Sequence, residues 1–169
     1  NLNTFTIIWE NYDGEPLETD LDVPYWTMPS YDWDTPTKPS DAEYDYEFTW
    51  WSPATWTAVS NQIYKAKYTP KLRTYTVRWL NSDKTEIEKD ENVPYWTMPS
   101  YDWETPTSWW NAQYSYRFMW WNPATWEVVW DVDYEAIYEP VLNTYTVLWK
   151  DRDGTILNTG ENIPYWTTP

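Results

Sequence analysis

The sequence predicts a mostly β protein, a tandem array of small four-stranded units with little helix. Three observations carry this. The chain repeats: Val23-Pro24-Tyr25-Trp26-Thr27-Met28-Pro29-Ser30-Tyr31-Asp32-Trp33 recurs unchanged from Val93 to Trp103, and Ile163-Pro164-Tyr165-Trp166-Thr167 starts it again, 70 residues further on each time. Apolar and polar residues alternate with a period of two, which is the period of a half-buried strand and not of a helix. Asp13-Gly14 and Asp153-Gly154 sit between alternating runs. Asp-Gly there predicts a hairpin with a type I′ turn, whose central residues need positive φ.

Each element follows from its own residues. In the first strand Tyr75, Val77 and Trp79 alternate with Thr74, Thr76 and Arg78. In the second, Leu17, Leu21 and Val23 are expected to face the core, and Glu18, Asp20 and Asp22 the solvent. In the third, Tyr44, Tyr46, Phe48 and Trp50 alternate with Asp45, Glu47 and Thr49. The fourth runs from Ile63 to Tyr68, with Tyr64, Ala66 and Tyr68 on one side. Between the second and third, Pro24 to Glu43 is rich in Pro, Asp, Ser and Thr. It reads as a long crossover with room for one short helical turn.

The repeat sets the domain boundaries: unit 1 at 1–72, unit 2 at 73–142, and a partial third unit at 143–169 with the first two strands only. Pro70-Lys71-Leu72 and Pro140-Val141-Leu142 are the joints. They are too short for floppy linkers, so neighbouring units are expected to be closely coupled. Two strands alone cannot complete the fold. The sequence therefore reads as a piece of a longer array, in preference to one whose last strands pair with another chain.

Composition excludes much. Lys plus Arg is 11 against 27 Asp plus Glu, a net charge of −16, which repels nucleic acids and anionic membrane surfaces. With no His and no Cys, disulfides, thiol nucleophiles, His-based triads and ordinary zinc sites are ruled out. No apolar run approaches the ~20 residues needed to span a bilayer. The aromatic content is abnormal, with Trp 17, Tyr 16 and Phe 3 beside only 3 Gly. Average glycine usage of ~7% would give about 12.

Several motifs taken in order resemble the internalin-type B repeat, also called the Listeria–Bacteroides surface repeat. They are Tyr75-Thr76-Val77-x-Trp79, the Asp-Gly hairpin, the Val-Pro-Tyr step, Phe48-x-x-Trp51 with Phe118-x-x-Trp121, and Tyr64-x-Ala66-x-Tyr68. The resemblance covers essentially the whole chain. It implies a β-grasp-like α+β unit of four strands, tandem use in secreted cell-surface proteins of bacteria, and no catalytic residues.

The departure from that family is systematic. Trp26, Trp96 and Trp166 follow Val/Ile-Pro-Tyr, and Trp50 and Trp120 precede a second Trp, where the family usually has Gly. Trp33, Trp103, Trp56, Trp126, Trp109, Trp110 and Trp130 also occupy turn-like contexts. The remaining five, Trp9, Trp51, Trp79, Trp121 and Trp149, fit strand or core positions. Reading the twelve as Gly restores an ordinary glycine content. One reading is a codon, such as UGA, that the organism translates as Gly and that is rendered here as Trp. The other is that the indoles are genuine.

Little in the chain points to chemistry. The carboxylate pairs Asp20/Asp22, Asp131/Asp133 and Asp151/Asp153 each share a strand face if the strands are regular, as a cation or glycosidic site requires. The first pair becomes Asp90/Asn92 one unit on, and Asp131 corresponds to Asn61, so no acidic centre is common to the units. Asp151-x-Asp153-Gly154 lacks the later Glu of a calcium loop. A recurring Lys–Asn cross-link fails as well, since Lys65 and Lys67 become Glu135 and Ile137. The best ligand platform is aromatic: Tyr31, Trp33, Tyr101 and Trp103, flat rings beside acids, suited to stacking on sugars.

The function expected is structural, a stalk or fibre spacer of a secreted bacterial cell-surface or adhesin protein, with no catalysis and no cofactor. Its expected partners are neighbouring repeats and other copies in a fibre. Short Pro joints are expected to propagate a stiff rod. The alternative is a module binding a glycan or host protein through the Tyr and Trp platforms.

Overall fold

The computed structural model describes residues 3–168 and is all β. Residues 1, 2 and 169, at the outer limits of the expected units, lie outside the described residues. The strands are β1 (Thr4–Glu10), β2 (Pro16–Pro24), β3 (Tyr44–Ser52), β4 (Gln62–Leu72), β5 (Thr74–Leu80), β6 (Glu86–Pro94), β7 (Tyr114–Asn122), β8 (Val132–Leu142), β9 (Thr144–Lys150) and β10 (Ile156–Pro164). The chain divides into two compact units, Asn1–Arg73 and Thr74–Pro169.

The first unit holds one four-stranded sheet of order β2-β1-β4-β3. The central strands β1 and β4 are parallel, with Ile7↔Gln62, Ile8↔Ile63, Trp9↔Tyr64 and Glu10↔Lys65 opposite one another. The outer pairs are antiparallel. The second unit repeats the order as β6-β5-β8-β7, with Val77↔Val132, Arg78↔Asp133, Trp79↔Tyr134 and Leu80↔Glu135 in the parallel pair. It also contains the two-stranded sheet β10-β9. The mixed order is β-grasp-like without a helix. The helical turn expected in the crossover is absent, because Pro-spaced residues from Pro24 to Pro39 remove backbone donors and disfavour the α region before each proline.

The core of each sheet is aromatic. Ile7, Trp9, Ala58 and Tyr64 are buried in the first, with Phe5, Val23, Tyr31 and Trp51 packed against them. Tyr75, Val77, Trp79, Val128, Val132 and Tyr134 are their counterparts in the second. Trp9 stacks on Tyr64 at 4.7 Å and meets the edge of Trp51 at 4.8 Å. Trp79 does the same with Tyr134 and Trp121, both at 4.8 Å. Each such pair contributes about 0.5–1.5 kcal/mol beyond its buried area.

Two bulges change which residues face inward. Phe5 opposes Val23, but Ile7 opposes Asp20, so β2 has gained one residue there. Asp22, and Asn92 and Asn162 after it, take φ of 58°, 60° and 59° at the bulge, which Asp and Asn tolerate better than most residues. The extra residue breaks the two-residue alternation. Leu21, expected inside, is 70% exposed. Asp20, expected outside, turns in and accepts the Trp9 indole N–H at 3.0 Å. Asp90 does the same for Trp79 at 3.0 Å. In β3 the shift lies between Phe48 and Trp50. Trp51, not Trp50, therefore continues the Phe48 face, their rings 5.3 Å apart, and Trp50 is exposed.

The hairpin also differs from the type I′ turn predicted. Gly14 N–H donates to the Asn11 carbonyl at 3.1 Å, and within this turn only Gly14 has positive φ, 91°. A type I turn followed by a left-handed residue has that pattern. Lys84 adopts φ 69° in the same place.

In the β9–β10 sheet Trp149 is 37% exposed, where Trp9 and Trp79 are 1% exposed. Gly160 stands at the position of Asp20 and Asp90, and a Cβ there would meet the Trp149 ring at 3.2 Å.

The buried indole predicts a measurable asymmetry. Asp90→Ala leaves the Trp79 N–H without its acceptor and should cost about 1–3 kcal/mol. Leu21→Thr should stay within about 0.5 kcal/mol of the parent. Urea unfolding followed by tryptophan fluorescence measures both.

Candidate functional site

The crossovers after β2 and β6 carry the aromatic platform. Each is pinned to its sheet by a repeated set of hydrogen bonds. Asn11 donates its amide to the Thr37 carbonyl at 3.1 Å and accepts the Tyr68 hydroxyl at 2.6 Å. Asn81 does so with Thr107 at 3.0 Å and Tyr138 at 2.7 Å. Glu18 accepts the Asp32 N–H at 2.9 Å, and Glu88 the Asp102 N–H at 3.0 Å.

The four platform residues separate into two kinds. Tyr31 and Tyr101 are half-buried. Tyr31 packs on Trp9 at 5.9 Å and Trp51 at 4.9 Å, and Tyr101 on Trp79 at 5.8 Å and Trp121 at 5.0 Å. Trp33 and Trp103 are exposed. In the second unit Tyr101 and Trp103 share a hollow of about 480 Å³ with Asn81, Ile87, Glu104, Thr105, Pro106 and Thr107. Aromatic faces with one carboxylate and two threonines could receive a polar ring with C–H edges.

Burial pushes the Tyr31 phenol above its ordinary range, and the Glu18 and Asp34 charges add to the shift. Tyr101 is raised by burial and by Glu88. Glu18 and Glu88 are themselves raised, because burial outweighs the hydrogen bonds they receive from Asp32 and Asp102.

The carboxylate pairs do not act as pairs. Asp20 faces the core, and Asp22 accepts the Thr4 hydroxyl at 3.3 Å. Asp131 accepts the Thr76 N–H at 2.7 Å, while Asp133 holds Arg78 through two bonds of 2.7 and 2.6 Å. Asp151 and Asp153 accept backbone N–H groups of Arg152 and Thr155 within their turn. Among the described residues no group of three His, Cys, Asp or Glu could hold a metal ion. Among the described residues no helix is long and apolar enough to cross a membrane.

Sequence reasoning missed the anchors, Asn11/Asn81, Glu18/Glu88 and the inward Asp20/Asp90. The signal was present, since all six recur at the repeat offset while many neighbours change.

The chain is thus an all-β tandem repeat of four-stranded units. Searched against family models it finds no match, and no curated protein matches it. Among solved structures it is similar to Streptococcal High Identity Repeats in Tandem (SHIRT) domains 3–4 from a cell surface protein. The identity is 12% and the TM-score 0.34, over 83% of this chain and 100% of that one.

The raised carboxylate predicts a pH-dependent effect. A raised folded pKa means that the folded form binds the proton more tightly. Stability from Glu88 is then complete below about pH 4 and is lost as pH rises through the raised value. Glu88→Gln keeps an oxygen for Asp102 N–H without a charge to bury. It should raise the urea midpoint at pH 7 and lose that advantage by about pH 4.

Proposed function

We propose that the chain is a spacer segment of a secreted bacterial cell-surface protein, a stalk or fibre part that does no catalysis. In this reading the units are 1–72, 73–142 and a partial unit 143–169, each a structural module. Their partners are neighbouring repeats, and in a fibre other copies.

One observation carries the reading. The core Trp, its Asp acceptor and the stacked Tyr recur at a fixed offset, but the outward face of the central parallel strands does not. Trp9–Asp20 and Trp79–Asp90 are alike to 3.0 Å. The outward partners Ile8↔Ile63 become Arg78↔Asp133. A sheet core that is kept while the outward face of its central strands changes suits a module valued for length, and stacked repeats suit that use. The excess of acidic side chains keeps such an array soluble.

Protease shaving of intact native cells tests the reading. Peptides of this chain should be released without lysis. Recovery only after lysis would reject a surface location.

The hollow beside Tyr101 and Trp103 favours glycan binding as the second reading, which holds only with a genuine indole at 103. A glycan array probed with the parent and with Trp103→Ala decides it. Binding lost in the variant moves recognition ahead of spacing, and no binding by the parent removes it.

A further inference from the structure

We propose that residues 26, 96 and 166, and with them the other turn-sited tryptophans, are glycines in the native protein, decoded there from a codon that is rendered here as Trp. The structure gives an argument for this that composition alone does not.

Trp26, Trp96 and Trp166 adopt φ of 67°, 63° and 63°. Each is the third residue of a four-residue turn closed by a backbone bond, from Thr27 to Pro24 at 3.1 Å, Thr97 to Pro94 at 3.1 Å and Thr167 to Pro164 at 3.0 Å. The preceding Tyr is not among the positive-φ residues. Positive φ at the third position alone defines a type II turn, which calls for Gly or Asn there. A bulky side chain in that region is strained.

The turn has no freedom to relax. Trp26 N–H donates to the Ala58 carbonyl and Ala58 N–H to the Thr27 carbonyl, both at 2.8 Å. Trp96, Val128 and Thr97 repeat this at 2.8 and 2.9 Å. Ala58 and Val128 are core residues, 3% and 0% exposed. In both complete units the turn is thus clamped to the core, and the indole gains little from it, since Trp26 and Trp96 remain over 60% exposed.

The other positive-φ sites follow the ordinary preference more closely. They hold Gly14 and Gly154, the Asx residues Asp22, Asn92 and Asn162, and Lys84. Internal alignment adds independent weight. Trp109, Trp110 and Trp130 stand where unit 1 has Pro39, Ser40 and Ser60, small or turn-forming residues for which Gly is an ordinary replacement and Trp is not. The two classes of tryptophan also differ in environment, Trp149 of the incomplete β9–β10 sheet being the exception at 37% exposed. Trp9 and Trp79 fill the two cores, whereas eleven of the twelve suspects are exposed. Trp126 is half-buried.

Three measurements test this. The gene should carry one codon, UGA, at 26, 96 and 166 and a different one at 9 and 79; UGG at any of the three turns overturns the proposal. Peptide mass spectrometry of the native protein should read Gly at 26 and 96, and Trp there overturns it. In recombinant protein carrying Trp, Trp96→Gly should raise Tm by about 5 °C. Trp96→Asn should raise it less, and Trp96→Ala should not, because Ala stays strained at positive φ. An equal gain from Ala would mean that backbone strain is not the cause, and the structural argument would fall.

Discussion

An indole N–H buried at the centre of a small sheet must be given an acceptor, and Asp20 and Asp90 supply it at 3.0 Å. The rest of each unit is arranged around that bond. The bulge in β2 exists where it turns this carboxylate inward. The parallel pairing of β1 with β4 brings Tyr64 onto the same ring, and β3 adds Trp51 against its edge. With no disulfide available, aromatic contact and one charge-assisted hydrogen bond take the place of covalent staples in a unit of this size.

The crossover depends on the same core. Tyr31 and Tyr101 close over the indole, and Asn11 and Asn81 tie the crossover to the hairpin and to the fourth strand. Glu18 and Glu88 hold its middle by a backbone N–H, at the expense of partly burying a carboxylate. Each anchor acts on the backbone of the segment.

What could be read from the sequence was local. Strands show their alternation directly, and Tyr75, Val77 and Trp79 lie inside as that pattern requires. Leu21 and Trp50 do not, because a bulge reverses the alternation and leaves no mark in a hydrophobic pattern. The neighbouring choice of Asp22, Asn92 and Asn162 marks the bulge only once a left-handed backbone is seen there. Pairing of β1 with β4 is likewise invisible, since it joins residues far apart in the chain. Of the aromatic platform, exposure of Trp33 and Trp103 was legible from turn context, but the inward role of Tyr31 and Tyr101 required the core to be in place.

The parallel register has a consequence for how such a chain finds its own fold. Tandem copies this alike invite a strand of one to pair with its counterpart in the next, a recognised failure of repeat proteins. Here the central strands carry different outward partners in each copy. Ile8 faces Ile63 and Glu10 faces Lys65 in one sheet, while Arg78 faces Asp133 and Leu80 faces Glu135 in the other. Exchanging β4 for β8 would set Ile8 against Asp133 and Glu10 against Glu135. The outward residues that differ between the copies therefore disfavour that exchange by burying or opposing like charge.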